Sequence, residues 1–161
     1  MIRIIKSVLA AFVALFCLMY ALQNIVNLNA AYGFVAAVLT MSDHAVYPSH
    51  FGPAITSPAL IWVALIVIIA LEVLAGLLAA KGAVDLWRAR RGDAATFNGA
   101  KTFAIAGCGV ALIIWFGLFS TFGGAYFQMW QTQLGTASLA GAFQYSVLNG
   151  LVLLIIQSAD E

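Results

Sequence analysis

The chain has 161 residues, of which 64% are hydrophobic and 8% charged. A soluble domain carries about 25% charged and about 45–50% apolar residues, so a water-soluble globule is excluded and disorder more firmly still. Seven Lys and Arg against six Asp and Glu leave a net charge of +1, which offers nucleic acid no basic field.

Four apolar stretches are long enough to cross a bilayer, at about 4–22, 58–80, 102–122 and 142–157. A helix needs roughly 20 residues to span a hydrocarbon core of about 30 Å. The fourth stretch is short, so it crosses with little tilt or extends into its loop. Arg3 and Lys6 ahead of the first stretch resemble a secretory leader. That stretch is longer than an h-region of about 7–15 residues, and no small-x-small site leads into a soluble domain, so it is read as a retained span.

All seven cationic residues lie at the amino terminus (Arg3, Lys6) or between the second and third stretches (Lys81, Arg88, Arg90, Arg91, Lys101). Cytoplasmic loops collect Lys and Arg, because carrying them across the bilayer is unfavourable. The expectation is an all-α membrane protein of four transmembrane helices with both termini cytoplasmic. Its outer loops are then 23–57 and 123–141, and its inner loop is 81–101.

The first outer loop is too long for a simple connection. Its middle, Ala30 to Met41, is apolar and roughly helix-periodic, with Tyr32, Phe34 and Val38 available for one face. This predicts a short helix, either lying at the outer interface or packed over the bundle as a cap. Pro48, Pro53 and Pro58 punctuate an extended return. Ser57 then offers a capping hydroxyl and Pro58 the first helical position. In the inner loop the second helix continues as an amphipathic extension, with Trp87, Arg88, Arg90 and Arg91 suited to lipid headgroups. Tyr126, Phe127 and Trp130 in the second outer loop read as an interfacial aromatic belt.

Glu72 is the only acidic residue inside a stretch. Facing lipid as an anion it would cost about 2.5–3.5 kcal/mol on insertion scales, so it faces the bundle and is hydrogen-bonded or protonated. Asn149 and Ser146, at comparable depth, are the expected partners. The group is either a proton-relay or cation site, or a carboxyl that merely ties helices together. His44 and His50, with Asp43 nearby, lie in the first outer loop, where loop polarity explains them more simply than a metal site. Cys17 and Cys108 fall within spans as small apolar residues. Gly76-x-x-x-Ala80 and Gly107-x-x-x-Ala111 are small-residue pairs that allow close helix approach. The sequence contains no phosphate-binding glycine loop, nucleophile elbow or paired carboxylates, and no metal or cofactor is expected.

Several phrases together are distinctive: LQNIVNLNAAYGFVAAVLTMSD, AITSPAL, LWRARRGDAATFNGAK and IWFGLFSTFGGAYFQMWQ. In these the chain resembles a bacterial family described as predicted small integral membrane protein, domain-of-unknown-function family 2165. The resemblance implies a four-span inner-membrane protein of proteobacteria; it implies no activity and assigns no site residues. Family members often carry a more polar asparagine–aspartate phrase after the first span. Here Asn24 and Asn27 are set among aliphatics, which speaks against an outer-face cation site.

The expected function is that of a small non-catalytic accessory or scaffold subunit of a larger inner-membrane complex, in contact with other membrane subunits or further copies of itself. The alternative is a small transporter or channel using a midplane site around Glu72 and Asn149. A third reading is an outer-face enzyme working through Asp43, His44 and His50.

Overall fold

A computed structural model describes residues 1–47 and 49–161; Pro48, expected to punctuate the first outer loop, lies outside the described residues. The elements are α1 (Ile2–Val26), α2 (Leu28–Thr40), α3 (Pro58–Ala89), α4 (Ala94–Gly99), α5 (Thr102–Leu112), a π-helical segment (Ile113–Tyr126) and α6 (Gln133–Gln157). Taking α4, α5 and the π-helical segment as one rod, four helices among the described residues are long and apolar enough to cross a membrane. In the bundle α1 packs on α3, α3 on α5, and α6 on α5 and the π-helical segment, while α1 and α6 close the ring.

The helices are built small side in and large side out. On α1, Ala10, Ala14, Cys17 and Ala21 are buried, whereas Phe12 and Met19 are more than 60% exposed. On α3 the buried stripe includes Leu65, Glu72, Ala79 and Leu86, seven residues apart, so Glu72 holds a core position by register alone. Lipid tails give apolar side chains no reason to turn inward, so helices associate where small residues let backbones approach. In water the same exposed surface would aggregate.

Several helix ends differ from the apolar stretches. α1 runs to Val26 and breaks for one residue at Asn27, whose side-chain amide donates to the Gln23 carbonyl at 3.0 Å. α2 follows at once and seats Val35 and Leu39 against Ile61 and Leu65 of α3, with Tyr32 stacked on Trp62 at 4.6 Å. The most buried stripe is Val35 and Leu39, with Tyr32, Phe34 and Val38 of the expected face partly buried against the same cluster; Phe34, Val35, Val38 and Leu39 also line a cavity. Pro58 does open α3, but the Ser57 hydroxyl makes no capping bond. α3 extends to Ala89, as an amphipathic extension requires. α6 begins at Gln133, where the Thr132 hydroxyl accepts from Gly135 N–H at 3.0 Å, so the short fourth stretch does extend into its loop.

The third rod is not the uniform α-helix that a plain apolar run suggests. From Ile113 the backbone widens to i→i−5 bonding, and two hydroxyls reinforce the wider turn. Ser120 Oγ donates to the Trp115 carbonyl at 3.0 Å and Thr121 Oγ1 to that of Phe116 at 3.1 Å. Serine and threonine bend helices through such local bonds, and π-turns are rare features that often sit at functional sites. The widened segment carries Trp115 and Phe119, both of which reach the polar pocket described next.

Candidate functional site: a polar pocket around Glu72

Glu72 is 2% exposed. Its partner comes from α1: the Asn24 side-chain amide donates to Oε2 at 2.9 Å and to Oε1 at 3.3 Å. The expected partners on α6 turn elsewhere. Ser146 Oγ donates to the Ala142 carbonyl at 2.8 Å, and Asn149 Nδ2 donates to the Tyr145 carbonyl at 2.7 Å. Both bonds lie within α6, because a donor four residues after a helical carbonyl finds it without crossing to another helix. Asn149 instead borders a separate apolar groove formed with Leu9, Phe12 and Leu148.

Glu72 and Asn24 line a cavity of about 350 Å³. Its other walls are Tyr20 from α1, Phe34 from α2, Trp115 and Phe119 from the π-helical segment, and Ser138 and Tyr145 from α6. The Tyr20 and Tyr145 hydroxyls hydrogen-bond to each other. Phe16, Tyr20, Trp115 and Tyr145 form an aromatic cluster with ring centroids 4.9–5.9 Å apart. Such pairs contribute about 0.5–1.5 kcal/mol each beyond burial, so this wall is stiff. Among the described residues no lysine, arginine or histidine forms an ion pair with Glu72. The pocket thus offers a carboxyl with one amide donor, set among aromatic faces, and can accept a proton or a cation.

A second polar centre lies at the end of the bundle where the basic residues collect, and the sequence reading missed it. Lys6 and Lys101 are buried, and their ammonium groups meet one carboxylate, Asp160, at 2.5 and 2.6 Å. Both also donate to the Ser158 carbonyl, at 2.7 and 2.6 Å. Asn98 exchanges hydrogen bonds with the Asp160 main chain, and Arg3 donates to the main-chain oxygens of Gly92 and Glu161. Phe97 is fully buried beneath Arg3 and Lys101. Burial pushes the Asp160 carboxyl up, but the hydrogen bonds and charges of Lys101 and Lys6 outweigh it and hold the group below its ordinary value. Three of the seven cations therefore fasten the segment after α6 to the rest of the bundle.

Of the expected headgroup residues, Trp87, Arg88 and Arg91 are exposed. Arg90 folds back over the Trp87 ring at 4.0 Å and donates to the Trp87 carbonyl. At the opposite end Gln131 Oε1 accepts from the N–H groups of Val46 and Tyr47 at 2.8 Å, tying the two connecting loops together. His50 Nδ1 contacts the Gly52 carbonyl, while His44 Nδ1 is buried without a partner. Burial, and then His50, hold His44 below its ordinary pKa against the pull of Asp43, so it is neutral near pH 7. Among the described residues no three His, Cys, Asp or Glu side chains are grouped to hold a metal ion.

Long helices with large apolar side chains outward and small ones inward define an integral membrane protein. The chain belongs to the family described as predicted small integral membrane protein (DUF2165), whose model matches residues 2–158. Comparison with curated proteins gave no match, and comparison with solved structures gave none.

Proposed function

We propose that this protein works as a small transporter or channel of the inner (plasma) membrane, non-catalytic, with both termini cytoplasmic. The observation that carries the reading is Glu72: a buried carboxyl with a single amide partner, bordering a cavity of about 350 Å³. An ionisable residue at membrane depth marks a substrate or ion path by default. A carboxyl that only tied helices together would have no need of a cavity beside it. The orientation rests on the basic end, which the positive-inside rule places in the cytoplasm, with Arg88 and Arg91 placed to meet headgroups.

The test is access. In a Cys17→Ala, Cys108→Ala background, a Ser138→Cys thiol is expected to react with a cationic methanethiosulfonate reagent in native membranes. A Leu148→Cys thiol on the exposed apolar face of α6 is expected to resist it. An inert thiol at position 138 in correctly folded protein would overturn the reading.

A second reading, an accessory or scaffold subunit held by other membrane subunits or further copies, draws on α6. Halfway along this helix Gln144 is exposed between Phe143 and Leu148, both themselves exposed. A side-chain amide in hydrocarbon favours a hydrogen-bonding neighbour on another helix. Mild extraction followed by mass spectrometry would show a stoichiometric partner if this role holds, and a lone monomer if it does not.

A further inference from the structure

The Glu72 pocket does not stand alone. A second cavity, of about 270 Å³, adjoins it, and Phe34 and Phe119 line both. The second cavity is apolar throughout, with walls that include Val38 of α2, Ile68 of α3, and Phe122 and Met129 beyond the two shared rings. The pair of cavities is therefore an amphipathic site, with a carboxyl and aromatic faces in one chamber and aliphatic and aromatic walls in the other.

We propose that the two chambers together bind an amphiphilic organic cation. Its ammonium head sits by Glu72 among Tyr20, Trp115 and Tyr145, and its apolar body passes between Phe34 and Phe119. This deepens the transporter reading by naming the substrate class, and it rests on that reading. Four considerations bear on the class. Glu72 is almost fully buried and has no cationic side chain paired with it among the described residues. A bare inorganic ion would need a shell of oxygen ligands, typically 6–8 for calcium; of the side-chain oxygens lining the chamber only those of Glu72 can carry charge, and the Tyr20 and Tyr145 hydroxyls are engaged with each other. Aromatic faces attract alkylammonium groups, which carry their charge on an apolar surface and need no hydrogen bonds in return. The adjoining chamber would stay empty for a small ion, whereas an apolar chain of a few carbons would fill it.

The test uses calorimetric titration of the full protein in a neutral detergent. The probes are 4-phenylbutyl-trimethylammonium, tetramethylammonium, and the uncharged isostere carrying tert-butyl in place of trimethylammonium. The phenylbutyl cation is expected to bind saturably and the isostere at least about tenfold more weakly. Glu72→Gln is expected to weaken the cation about tenfold or more. Val38→Trp, at a residue that lines the second chamber but not the first, is expected to weaken the phenylbutyl cation while leaving tetramethylammonium unchanged; its intact head-group binding would also report that the variant is folded. Equal binding of cation and isostere, or cation binding indifferent to both substitutions, would overturn the proposal. If the cation fails to bind while the Ser138→Cys thiol still reacts, the substrate class is wrong and the transporter reading stands. If the thiol is inert as well, both fall.

Discussion

Replacing Gly107 by leucine is expected to cost the bundle ~3 kcal/mol or more, because the side chain has nowhere to go. A Cβ at this position would lie 2.6 Å from the Ala79 nitrogen and 2.9 Å from the Ala75 carbonyl oxygen. Both are backbone atoms of α3, so no rotamer change relieves the clash and the two helices must part. The same crossing repeats one step along, where a Cβ on Gly82 would run into the Ala104 nitrogen. Separating α3 from α5 would also loosen the contacts that bury Ala75, Ala79, Ala104 and Cys108. The control is Gly109→Ala, on the same helix but with nothing within 4 Å of its Cβ. It is expected to be neutral or up to ~1 kcal/mol more stable, since alanine is the better helix former. Equilibrium unfolding in lipid–detergent micelles measures both, and comparable losses for the two variants would refute the close α3–α5 crossing.

Asp160→Asn is expected to be comparably damaging, at about 3–5 kcal/mol, the usual cost of removing one partner from a buried ionic group. It leaves Lys6 and Lys101 facing each other with only neutral acceptors, the Ser158 carbonyl and, for Lys101, the Asn98 side chain. Adding Lys6→Met to Asp160→Asn is expected to recover part of the loss, because the repulsion between the ammonium groups then disappears. The pH dependence follows from the direction of the Asp160 shift. Its folded pKa lies below the ordinary carboxylate value of about 3.9, so its contribution is fully present above that pH and is lost as pH falls through the folded value. Wild-type stability is thus expected to be flat in this respect from pH 5 to neutrality and to fall below about pH 4. A variant lacking Asp160 should lose less in that acid range. Equal acid sensitivity in both would argue that this carboxylate is not the one that matters.

The apolar stretches were legible because a bilayer imposes a length on any helix that crosses it, and Pro58 was legible because proline fits a helix start. That Glu72 faces inward followed from the cost of a charge in lipid. Its partner did not follow, because Asn24 falls beyond the first apolar stretch and reads as outer loop, whereas α1 runs on to Val26 and carries it to Glu72. The pairing depends on how far α1 slides along α3, and that is set where Gly76 receives Leu18 and the Ala14 carbonyl. The π-helical widening was hidden for a similar reason: Ser120 and Thr121 read as ordinary polar residues near a helix end until their hydroxyls are seen on carbonyls five residues back. The basic end misled most. Lys6 and Lys101 obey the same charge asymmetry as Arg88 and Arg91, yet the former pair is buried and the latter exposed. What separates them is the return of the chain after α6, a long-range contact that no local pattern encodes.

The proposed function turns on whether Glu72 serves passage through the membrane. The most direct measurement is the current evoked by cation concentration jumps on reconstituted vesicles adsorbed to a solid-supported membrane. It would compare the wild type, Glu72→Gln and protein-free vesicles across protons, potassium, tetramethylammonium and 4-phenylbutyl-trimethylammonium. A transporter or channel built on Glu72 is expected to give a wild-type current for at least one of these cations that Glu72→Gln loses while still reconstituting as folded protein. Currents indistinguishable among all three preparations would contradict it.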